Sequence, residues 1–77
     1  MKSPESTKSL PEKLAAELVR VTELRSTYES MRGIPGVNVA PAIMLMTAAI
    51  EQGIRAAGIN DALEQMHAVM ELEGFKE

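Results

Sequence analysis

The chain has 77 residues, 45% of them apolar, with six Met, no Cys and a net charge of −3. A domain of this size buries only about 60% of its unfolded-chain surface, and without cysteines neither disulfides nor thiolate metal sites can reinforce it. The single histidine leaves a zinc site short of nitrogen ligands, so self-association is the remaining common source of extra buried area.

Residues 1–8 are polar and contain nothing able to pack, so they read as a disordered tail ahead of one helical domain over 9–77. Ser9-Leu10-Pro11-Glu12 marks a helix start, since Ser with Glu three residues later has capping-box spacing. Pro11 disfavours a helical residue before it, which argues for Leu10 as the cap itself. The first helix is expected over 10–32, ending at a left-handed Gly33. Its apolar stripe runs Leu10, Leu14, Val21, Leu24, Tyr28 and Met31, interrupted at Glu17 and widened by Leu18. Lys13, Arg20, Glu23 and Thr27 fall on the opposite, solvated side.

The connection 33–40 holds two Gly and a Pro, yet Ile34, Val37 and Val39 argue for an ordered segment, with Ile34 folded back on the first helix. No charged residue occurs from Val37 through Ile50. This central helix is expected over 41–57 with Pro41 in its first turn. Its wide apolar arc has a bulky ridge (Ile43, Met46, Ile50, Ile54) beside a small-residue strip. The spacing Ala49, Gly53, Ala57 would admit a close helix backbone, which leaves two readings open, the chain's own core or a second subunit, and a second subunit is the first place to look. Glu51 and Arg55 mark the wet side. Gly58-Ile59-Asn60 is a tight joint in which Gly58 ends one helix, Ile59 packs and Asn60 caps the next. The third helix, 61–72, shows Ala62, Leu63, Met66, Val69 and Met70 on one face, and Phe75 is expected to fold back as a lid.

The fold class is therefore all-α, three helices around a central apolar second one. A two-fold crossing of first helices at Val21 is a specific expectation for dimerisation. Glu17 and Arg25 lie equidistant from Val21, so antiparallel copies would pair Glu17 with the partner's Arg25 twice, with Leu14 and Tyr28 nearly mirrored. The plainer alternative is that both side chains snorkel to water from the stripe's edge.

The remaining residues argue mainly by exclusion. Residues 61–77 carry −4, with Asp61, Glu64, Glu71, Glu73 and Glu77 against Lys76, and no basic stripe exists to neutralise phosphates. The helix-Gly-Ile-helix joint resembles the turn of a helix-turn-helix DNA reader, but its would-be recognition helix has acids and neither Lys nor Arg. The glutamates lack the Asp/Asn loop with central Gly of a calcium site. His67, with Glu64 before it and Glu71 after it, has no nucleophile to serve and reads as a boundary residue. The uncharged run is shorter than the roughly 20 residues needed to cross a bilayer, and the polar N-terminus does not read as a leader. The sequence thus implies no catalytic residue, cofactor or metal. It implies a small cytoplasmic, homodimeric, non-enzymatic module that binds another protein as adaptor, regulator or inhibitor. A structural subunit of a larger, phage-type assembly is the alternative, with a DNA-associated regulator behind it.

Overall fold

A computed structural model describes residues 9–76, and the tail expected over 1–8 lies outside them. The described residues form three helices: α1 (Leu10–Glu29), α2 (Ala40–Ala57) and α3 (Ala62–Glu73). Each helix packs on both of the others, and no strand occurs among the described residues.

Local chemistry sets the ends. Ser9, not Leu10, is the N-cap of α1: Glu12 N–H donates to its Oγ at 3.3 Å, and Ser9 N–H donates to Glu12 Oε1 at 3.0 Å. Pro11 is tolerated because its missing N–H would lack a helical partner in the first turn. α1 stops three residues before the expected end. Met31 and Arg32 donate to the carbonyls of Tyr28 and Glu29, so the last turn tightens into i→i+3 bonds. Gly33 has φ +89°, four residues beyond the end of the helix.

The connection is held by a hydrogen-bonded turn and by buried Val39, while Ile34 and Val37 are exposed. Val37 N–H donates to Ile34 O at 3.1 Å, closing a turn with Pro35 and Gly36 as its central residues. Gly36 sits at φ +83°, which fits the type II turn that favours Pro then Gly at those positions. Ile34 does not fold back on α1; its side chain is exposed. Asn38 Oδ1 accepts from Ala40 N–H at 3.3 Å and so steadies the start of α2. Gly58 ends α2 at φ −86°, in ordinary right-handed backbone. Asp61, rather than Asn60, caps α3 by accepting from Leu63 and Glu64 N–H at 3.0 and 3.3 Å.

The core is aliphatic. Leu14, Val21 and Leu24 come from α1, Met46, Ala49, Ile50 and Ala56 from α2, and Ala68, Val69 and Leu72 from α3. Leu10, Leu18, Tyr28 and Phe75 pack against its rim, so Phe75 does return to the core as expected. Ile43 is buried too, but Ile54 is exposed. At that level α2 is approached through Gly53 instead: a Cβ built there would lie 2.7 Å from Leu18 Cδ2 and 3.3 Å from Leu72 Cδ1.

Candidate interaction surface

The small-residue strip of α2 is internal. Ala49 and Gly53 are buried by this chain's own helices, with Leu18 of α1 and Leu72 of α3 seated on Gly53. The expectation that a second subunit covers this strip is corrected accordingly. Only Ala57, at the helix end, is exposed. The missing cover was present in the sequence as Leu72, whose large side chain fills the notch that Gly53 leaves.

The Val21-centred crossing fails on the same ground. Val21 is 0% exposed, so no second copy can reach it without opening the core. Its two flanking charges already have partners. Arg20, placed by pattern on the solvated side, is half-buried; its Nη2 donates to Glu17 Oε1 at 2.8 Å and to Leu72 O at 2.9 Å. Arg25 Nη1 donates to Thr47 Oγ1 at 3.2 Å, tying α1 to α2. Tyr28 is half-buried at the core rim.

The orientation of α3 produces the largest departure from expectation. Gln65, Ala68, Val69 and Leu72 face the core. This set has i, i+3, i+4, i+7 spacing, the stripe a packed helix needs. Three contacts hold that rotation. Gln65, only 7% exposed, donates from Nε2 to Ile59 O at 3.0 Å and Ala56 O at 3.3 Å. Leu72 enters the Gly53 notch, and the Leu72 carbonyl is held by Arg20. Turning Leu63, Met66 and Met70 inward would surrender all three.

Two uncovered apolar faces result. On α2, Met44 and Leu45 are 72% and 63% exposed. Exposed Pro41 and Ala48 lie one turn either side of them, on the face directed away from Met46 and Ile50. On α3, Leu63, Met66 and Met70 are 56%, 46% and 63% exposed, again at i, i+3, i+7 spacing. Ile59, expected to pack, is exposed beside the start of α3. Scattered apolar residues are ordinary on a surface, whereas contiguous stripes mark contact sites.

Chemistry beyond contact has little to build on. An open depression between α2 and α3 is lined by Gln52, His67, Met70 and Glu71, and another by Glu17, Arg20, Glu73, Phe75 and Lys76. Neither brings a nucleophile to a base. Among the described residues no group of three His, Asp or Glu is placed to hold a metal, and no helix is long and apolar enough to cross a membrane. No protein-family model, curated protein or solved structure matches this chain.

Proposed function

We propose that this protein is a non-enzymatic, homodimeric protein-binding module of the cytoplasm, an adaptor, regulator or inhibitor that works by occupying another protein's surface. The observation that carries the reading is the outward placement of large apolar side chains on two helices whose opposite faces are already packed. The N-terminal half of α2 is the self-association face. From Val37 through Ile50 it has no charge, so two copies can meet through Met44 and Leu45 without burying an ion. The absence of cysteine suits a reducing compartment.

Sedimentation tests the reading. The wild type is expected at about twice the 8.4 kDa chain mass, and Met44→Glu with Leu45→Lys at the chain mass with unchanged helicity. A wild type that sediments as a monomer up to millimolar concentration would remove the dimer. Two non-equivalent apolar faces also suit a subunit of an extended assembly, because heterologous contacts need not close. Light scattering separates the readings, since higher oligomers belong to the assembly alone. The α2–α3 joint gives DNA reading no support, because the exposed side of α3 carries Glu64, His67 and Glu71 and no Lys or Arg.

A further inference from the structure

The outer stripe of α3 differs from that of α2 in its electrostatics, and the difference identifies an occupant. Leu63, Met66 and Met70 form two turns of uncovered apolar surface. At 100° per residue, Glu64, His67 and Glu71 fall along one flank of that stripe, and Glu73 lies on the other. Between Asp61 and Glu73 there is no Lys or Arg. Nearby cations are already opposed by acids: Arg55 on α2 is one turn from Glu51, Arg20 is bonded to Glu17, and Lys76 shares a depression with Glu73 and Glu17.

A second copy is a poor occupant. Pairing α3 with α3 would set carboxylates of one helix beside those of the other with no cation between them, and like charges at close quarters cost energy. We infer that the α3 face docks a basic amphipathic helix of a partner protein, its apolar side on Leu63, Met66 and Met70 and its Lys or Arg flanks against Glu64, Glu71 and Glu73. The helix-in-groove mode uses anchors at this spacing. Two methionines among the three apolar contacts suit it, because an unbranched thioether side chain adapts to differing partner surfaces. The inference rests on the protein-binding reading above and adds the chemistry of the partner.

The test uses the full chain and two synthetic amphipathic helices with one identical Leu/Ala face, flanked by Lys in one and Glu in the other. Fluorescence anisotropy is expected to show the Lys peptide binding at least about tenfold more tightly than the Glu peptide in roughly 0.05 M salt, with the gap closing in roughly 0.5 M salt. Met66→Ser with Met70→Ser, at positions outside the buried core, should weaken the Lys peptide at least about tenfold while circular dichroism is unchanged. Glu64→Lys with Glu71→Lys should shift preference toward the Glu peptide. Equal binding of both peptides, no binding of either, or indifference to the α3 variants overturns the inference. Conversion of the dimer to a monomer by the α3 serine variants also overturns it, since the occupant would then be a second copy. The α2 variants report separately on self-association, so the two readings fail on different measurements.

Discussion

Gly53 is the position where packing arithmetic makes the sharpest claim. Replacing glycine by alanine inside a helix ordinarily gains about 0.8–1 kcal/mol, because the unfolded chain loses freedom and the helix gains a favourable residue. Here the new Cβ would lie 2.7 Å from Leu18 Cδ2 and 3.3 Å from Leu72 Cδ1. Leu72 is fully buried and has nowhere to go, so it can yield only tenths of an ångström. Leu18 is half-buried at the core rim, and its terminal methyls can swing outward. Overpacking of this kind costs about 1–3 kcal/mol. Subtracting the propensity gain leaves Gly53→Ala destabilising by roughly 0–2 kcal/mol. Leu18→Ala removes the atom that clashes, so in that background Gly53→Ala should stabilise by about 0.5–1 kcal/mol. The two positions should therefore show a coupling of about 1–2 kcal/mol in a double-mutant cycle, read by urea unfolding. Additivity within about 0.3 kcal/mol, or a full stabilisation by Gly53→Ala alone, would show that Leu18 does not close the notch. An unfolding midpoint for Gly53→Ala that shifts only at low protein concentration would return the strip to a subunit interface.

Other variants probe the contacts that fix the arrangement. Gln65→Leu strips its share of bonding from Ala56 O and Ile59 O and should cost about 1–2 kcal/mol in urea unfolding, whereas Glu64→Gln should change stability by less than about 0.5 kcal/mol. Arg20→Met should lower the thermal midpoint more than Glu17→Gln, because only the former releases the Leu72 carbonyl; a cost of about 1 kcal/mol corresponds to roughly 4–8 °C. Glu17→Arg and Arg25→Glu should leave the sedimented mass unchanged, singly and together, since neither flanks an accessible Val21. Ser9→Ala should cost about 1 kcal/mol through loss of the cap, with Ser9→Asp restoring most of it.

Helix number and core composition were legible because spacing alone carries them. Leu14, Val21 and Leu24 repeat at helical intervals, and Ile43, Met46 and Ile50 do the same, so burial follows from periodicity. What spacing does not carry is which helix covers which strip. Spacing puts Arg20 on the solvated side because its partner, the Leu72 carbonyl, is 52 residues away in the chain. The spacing of Ala49 and Gly53 suits a subunit contact as well as an internal one. The internal one forms here, since missing side chains let Leu18 and Leu72 come close.

The candidate surface depends on this geometry more than on composition. α3 has two apolar stripes, Ala68-Val69-Leu72 and Leu63-Met66-Met70, and hydrophobicity alone favours the second. The first is buried because it brings Gln65, which would be wasted facing solvent and here ties the joint between α2 and α3. A polar residue at the core thus selects the helix rotation, and the bulkier, more adaptable stripe is left outward as a consequence. Packing the larger apolar stripe would remove more apolar surface from water, but it would surrender the Gln65 bonds, the Leu72 fit at Gly53 and the Arg20 bond to the Leu72 carbonyl. Leu63, Met66 and Met70, beside acids that no Lys or Arg of the same helix neutralises, are the face on which the proposed basic partner helix would sit.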